Sequence, residues 1–350
     1  MAIETPPVSP LCDAQARHAG RMPAAMGWRR AAAVWSAAAL AALLAFAAAL
    51  SLGAVTLGPA HWWAWLHGTD SREAGRIVAI LRLPRALAGF TTGALLSLAG
   101  ALLQALLANP LADPYVLGVS GGAAVCALLA LSLAAPAGLV ALCAFGGALA
   151  SMLFVLALAR RAFGPDPTRL LLTGVVFAAG CAAALTLLLS LAESDRLRAM
   201  VFWLAGDLSG ADMPYLALAV LPLLLLFILP AAPALNVLLR GDDMAQALGV
   251  PVRRLRLRVY LVASLATATA VTTAGTVGFV GLVVPHLLRL AFGNDQRMLL
   301  PASVLLGGAL VLLADLLART LVAPLQLPLG AVTGALGAPV FLALLWRGQR

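Results

Sequence analysis

Long, uniformly apolar runs constrain this 350-residue chain more than any motif in it. Runs such as 84–107, 138–159, 170–192 and 299–318 are about the 17–25 residues that cross a hydrocarbon core as α-helix. A membrane β-barrel is excluded, because its strands alternate apolar and polar residues over about ten positions and these runs do not alternate. The chain is 63% hydrophobic and 11% charged, against roughly half and a quarter in a soluble domain. The sequence predicts an all-α polytopic membrane protein of about ten transmembrane helices. The expected spans are 31–57, 84–107, 116–134, 138–159, 170–192, 214–234, 257–276, 278–293, 299–318 and 329–346. Residues 31–350 form one ten-helix domain. Residues 1–30, with Pro6, Pro7, Pro10 and Pro23, read as a disordered cytosolic tail. Arg29-Arg30 before the first run resembles a signal peptide. That run outlasts a signal core of about 7–15 residues, so it reads as a span.

The net charge is +9 and every cation is arginine. Basic residues grouped between apolar runs indicate cytosolic loops in contact with membrane lipid rather than nucleic acid. With the N-terminus inside, ten spans return the C-terminus to the cytosol. The exceptions on the outer side are Arg72, Arg76, Arg82, Arg85, Arg196, Arg198 and Arg319. Cys12, Cys126, Cys143 and Cys181 form no C-x-x-C pair. They read as small hydrophobes, with no disulfide or metal site. In the 58–81 loop, Trp62, Trp63 and Trp65 suit a membrane interface. His61 and His67 there are a weaker haem or metal pair. His286 reads as a packing or hydrogen-bonding residue.

There is no H-E-x-x-H, G-x-S-x-G or phosphate-binding loop, so an enzyme is not expected. Asp315 stands inside a span, where an acid serves as a proton relay or pairs with Arg319 four residues on. Arg82 and Arg85 share a helix face. Together with Arg319 they can snorkel to headgroups or dock carboxylates of an external protein. The loop 236–257 holds Asp242 and Asp243 at a helix start favoured by the dipole. Met244, Ala247 and Leu248 follow on one apolar face, and Gly249 and Pro251 stop the helix. Such a helix docks a partner or lies on the membrane. Glycine-rich stretches including Gly93-Ala94, Ala99-Gly100 and Gly121-Gly122 allow close helix packing. A faint repeat at an offset of 175 pairs Ala99-Gly100 with Ala274-Gly275 and Pro110 with Pro285, which would make two inverted five-span halves.

Four blocks then carry a resemblance: RLPRALAG…GALLSLAGALLQALLANPLADPYVLGVSGGAA (82–124), FWLAGDLSG (202–210), RGDDMAQALGV (240–250) and GFVGLVVPHLLRL…LPLGAVTGALGAPVF (278–341). The chain resembles the permease subunit of type II ATP-binding-cassette importers for iron-siderophores, haem and cobalamin. The resemblance implies a homodimer in the bacterial inner membrane, two cytosolic ATPases and a periplasmic substrate-binding protein. No cofactor is implied. Arg82, Arg85 and Arg319 match arginines that meet the binding protein. Gly241, Asp242, Asp243, Met244, Ala247, Leu248 and Gly249 match a helix seated in the ATPase. Asn109, Pro110 and Leu111, with Thr168, match the cytoplasmic gate. Span 170–192 resembles the pathway-lining helix, and 195–206 a short periplasmic helix. Where the family usually has Glu-Leu-Pro, this chain has Gln326-Leu327-Pro328. The implied function is ATP-driven import of a bulky metal chelate, and the competing reading is an ion-coupled secondary carrier.

Overall fold

The computed structural model describes residues 27–53, 57–58, 67, 75–158 and 168–348. The expected tail up to residue 26, the tryptophan belt and most of the Arg72 loop lie outside the described residues; Trp28, Arg29 and Arg30, expected in the tail, already belong to the first helix. Elsewhere the chain is a helical bundle. Its spans are α1 (Trp28–Ser51), α2 (Leu83–Leu106, entered through a π-helical turn Ile77–Arg82), α3 (Val119–Ser132), α4 (Ala137–Leu158) and α5 (Thr168–Ser190). A short α6 (Ser194–Leu204) follows. Then come α7 (Tyr215–Ile228), α8 (Ala232–Leu238), α9 (Asp242–Ala247), α10 (Val252–Ala274), α11 (Val280–Phe292), α12 (Gln296–Thr320) and α13 (Leu329–Gly348). Every expected span has its helix. Among the described residues seven runs are long and apolar enough to cross a membrane, α7 counting together with α8 as Tyr215–Leu238, and three apolar ones are shorter: α3, α11 and Leu329–Leu344 of α13.

The bundle is built around α2, which is buried along nearly its whole length. Two glycines put it there. A Cβ on Gly93 would collide with the Gly307 carbonyl of α12, and one on Gly100 with the Gly281 carbonyl of α11. With no side chain at these points the backbones touch, which is how helices associate where lipid removes the hydrophobic drive. Between Arg85 and Gly100 the helix descends about 22 Å, so its α11 contact lies deep in the bundle.

Pro285 inside α11 has no N–H for the Gly281 carbonyl, the i−4 acceptor. Gln104 Nε2 of α2 turns toward it at 3.4 Å and toward Leu282 O at 3.1 Å. α10 handles its polar residues locally. Thr267, Thr269, Thr272 and Thr273 each donate their hydroxyl to the carbonyl four residues back. Tyr260 donates to Met152 O at 3.0 Å and joins α10 to α4.

Two element readings change. Gly100 lies inside α2 whereas Gly275 caps α10 at φ 69°, so the offset of 175 does not align the halves. The shared feature is the third span of each five, α3 and α11, which are short and preceded by non-helical chain. α10 also begins at Val252 rather than 257, taking the arginine cluster 253–258 into its first turns.

Gly100→Ala should destabilise the detergent-purified protein by at least about 1–3 kcal/mol through overpacking. Gly146→Ala, where an added Cβ meets nothing within 4 Å, should leave the thermal midpoint unchanged.

Candidate functional site

At one end of the bundle the last turn of α1 presents carbonyls that no helical N–H can reach. Arg82 Nη1 donates to Leu50 O at 2.7 Å and Ser51 O at 3.0 Å. Arg319 Nη2, from α12, donates to Ala49 O. The cations also oppose the negative end of the α1 dipole. Gly53 leaves room for both guanidinium groups, since a Cβ there would stand 3.1 Å from Arg82 Nη2 and 3.3 Å from Arg319 Nη1.

Arg85 faces α12 instead. Its Nε lies 3.0 Å from both oxygens of Asp315, and its Nη2 is 2.8 Å from Oδ1. Arg319 Nε stands 3.7 Å from Asp315 Oδ2. The carboxylate is 5% exposed, while Arg85 and Arg319 are 14% and 12% exposed. The i,i+4 pairing of Asp315 with Arg319 is therefore present, but the closer partner is Arg85. Arg85 Nη1 reaches the more exposed Gln326 Oε1 at 3.1 Å, so the amide that departs from the family pattern still accepts a bond. The structure brings Arg82, Arg85 and Arg319 together, turned inward rather than snorkelled outward.

At the other end, α9 starts after Gly241, whose φ of 109° favours glycine, with Asp242 and Asp243 in its first turn. Asp242 Oδ1 accepts from Arg256 Nη2 at 2.7 Å, which clamps α9 to α10. Met244 and Leu248 are 50% and 63% exposed, Ala247 is exposed and Ala245 is buried. Gly249 at φ 77° then turns the chain into α10. The expected apolar face is present and points away from the bundle.

The turn at Asn109, Pro110 and Leu111 is exposed. Asn109 Oδ1 accepts from Leu111 N at 2.9 Å. Next, Asp113 Oδ1 accepts from Tyr115 N at 2.8 Å and opens a 3-10 turn, Pro114–Leu117. Burial pushes the Asp113 carboxyl above the ordinary carboxylate range, and the Tyr115 N–H works against that. Tyr115 Oη donates to Val277 O at 2.9 Å and accepts from Val277 N at 2.8 Å. Thr168 opens α5; its side chain lies outside the described residues. α5 buries Gly174 and Cys181 against its neighbours and leaves a bare face, Leu172, Val176, Ala179, Ala183, Thr186 and Ser190, that carries no charge.

The profile of the FecCD transport family matches residues 40–347. The chain belongs to the FecCD transport family. This FecCD chain is 40% identical over 311 residues to the vitamin B12 import system permease protein BtuC of Yersinia enterocolitica, covering 87% of this chain and 90% of that one. It is 39% identical over 318 residues to the hemin transport system permease protein HmuU of Yersinia pestis, covering 87% and 94%. A solved metal-chelate type ABC transporter in an inward-facing conformation superposes with a TM-score of 0.81 at 27% identity, over 90% of this chain and 99% of that one. These relatives are permease proteins of transport systems, which are transport components rather than enzymes.

Tyr115, Gln104, Val277 and the Arg85–Asp315 pair were not singled out by sequence reasoning. The clue to Tyr115 was a phenol set between Asp113-Pro114 and Gly118, where a turn fixes its direction.

Asp315→Asn should cost about 3–5 kcal/mol, because it leaves Arg85 and Arg319 buried without their counter-ion. Gln326→Ala, at the exposed edge, should cost under about 1.5 kcal/mol. Thermal unfolding of the two variants in detergent checks the difference.

Proposed function

We propose that this chain is the permease subunit of an ATP-driven importer that carries a bulky metal chelate across the bacterial inner membrane by alternating access. Two copies would enclose the pathway, and two cytosolic ATPases would drive it. α9 carries the reading. A six-residue helix clamped by an ion pair and presenting Met244 and Leu248 outward is a knob shaped for a partner's groove. Asp243 and Gly249 frame that knob. The α9 end then faces the cytosol with both termini, and the arginine end faces the periplasm.

The substrate class is drawn from relatives named for vitamin B12 and hemin import. A corrin, a haem or a ferric siderophore suits the uncharged bare face of α5, which would let a large chelate pass without holding it. Arg82, Arg85 and Arg319 are proposed as the dock for carboxylates of a periplasmic binding protein, reached from the Gln326 edge. Asn109, Pro110, Leu111 and Thr168 are proposed as the gate at the ATPase end. The ion-coupled alternative draws no support from Asp315, whose carboxylate is already engaged by Arg85 and Arg319.

Reconstitution in liposomes with the cognate ATPase and binding protein tests the reading. Uptake should require ATP inside, stop with vanadate and persist with a proton uncoupler; the opposite pattern would identify a secondary carrier. Met244→Asp with Leu248→Asp should release the ATPase on affinity purification while leaving the permease folded. Arg85→Gln should weaken binding-protein association about tenfold or more, as loss of a charged interface contact does, and flatten its salt dependence. Unchanged association would remove Arg85 from the dock.

A further inference from the structure

Two segments outside the α-helices meet inside the bundle, and one hydroxyl joins them. They are the chain between α2 and α3 and the chain between α10 and α11, which hold the same place in the two five-span halves. Each ends in a left-handed residue that opens a short span, Gly118 at φ 75° and Phe279 at φ 68°. A left-handed phenylalanine is disfavoured, so its surroundings must hold it. Tyr115 Oη uses its donor on Val277 O and an acceptor lone pair on Val277 N. It thereby satisfies both backbone groups of a residue that belongs to no helix.

The position of this bond matters more than its strength. α9 is tied through Asp242 and Arg256 to the first turns of α10. α10 is continuous helix to Ala274, three residues before Val277. On the other side, the 3-10 turn of Tyr115 abuts α5, where a Cβ on Gly118 would stand 2.6 Å from Phe177 Cδ1. The hydroxyl therefore stands between a helix clamped at the knob and the helix with the bare face.

We infer that Tyr115 is a positioning residue for transport: its hydroxyl makes the α2–α3 turn, and α5 with it, follow α10 when α9 is displaced. This rests on the ATP-driven reading above. The test uses the full complex in liposomes, with ATP hydrolysis and uptake of cyanocobalamin or haemin measured together. In Tyr115→Phe the number of ATP molecules hydrolysed per substrate imported should rise about tenfold, the effect of losing one or two buried hydrogen bonds. Hydrolysis stimulated by the binding protein should stay within about twofold of the unmodified complex. Val277→Ala should leave the ratio unchanged, because both bonds go to backbone. An unchanged ratio in Tyr115→Phe, a proportional fall in both rates, loss of assembly, or an equal effect of Val277→Ala would overturn the inference. Failure of the unmodified complex to use ATP for uptake would instead overturn the reading on which it rests.

Discussion

A peptide carbonyl inside hydrocarbon has no water to bond, and the bundle meets that constraint at several breaks in its helices with donors from other elements. α11 contains Pro285, and Gln104 of α2 supplies the donor that the proline lacks. α10 ends at Gly275, and the Ala274 carbonyl accepts from Asp207 N at 2.9 Å. The first amides of α13 donate back to the same linker, Leu329 to Gly206 O at 2.9 Å and Gly330 to Ala205 O at 2.7 Å. Gly206 is needed there because a side chain would strike the Thr276 carbonyl. The FWLAGDLSG block is thus a splice between α10 and α13. α2 can serve the centre of the bundle only because Gly93 and Gly100 let the other backbones reach it.

The arginine end follows the same logic with charge added. The last turn of α1 leaves carbonyls that Arg82 and Arg319 cap from two other helices. A guanidinium suits this work because it keeps its charge when buried and offers several donors in a fixed fork. Two cations on one carboxylate, Arg85 and Arg319 on Asp315, leave positive potential at that end of the bundle. The geometry that locks α1, α2 and α12 together is therefore also one that an outside carboxylate could recognise. The proposed docking role would compete with this internal one for the same atoms, and a docking acid would have to meet an arginine already engaged from within.

What the sequence made legible was local. Run length gave the spans, and the Gly-Asp-Asp start with a Gly-x-Pro stop placed α9 within a residue. Asp315 and Arg319, four apart on one helix, were recognisable as a pair for the same reason. The nearer partner, Arg85, lies 230 positions away in the chain, and no periodicity encodes that distance. Tyr115 and Val277 are separated by 162 positions; the turn that holds Tyr115 is marked locally by Asp113-Pro114 and Gly118, but nothing in it points to Val277. The offset of 175 misled because it matched a glycine inside a helix to a glycine that ends one. Small residues recur in membrane helices for packing reasons that have no single register.

The two short spans show why such long-range contacts matter for a moving protein. A continuous helix through the bundle shifts as a rod, and its two ends cannot be set independently. α3 and α11 begin only after chain that has left the α-helical hydrogen-bond ladder, so a rotation at the left-handed residue before each, Gly118 or Phe279, would break no bond of the preceding helix. The cost is a set of backbone groups that must find partners elsewhere, and Val277 finds both of its partners in Tyr115. A hinge in hydrocarbon must be satisfied in each position it occupies. On the proposed transport cycle, side-chain donors and acceptors such as the Tyr115 phenol would let such a hinge move while its peptide groups stay bonded.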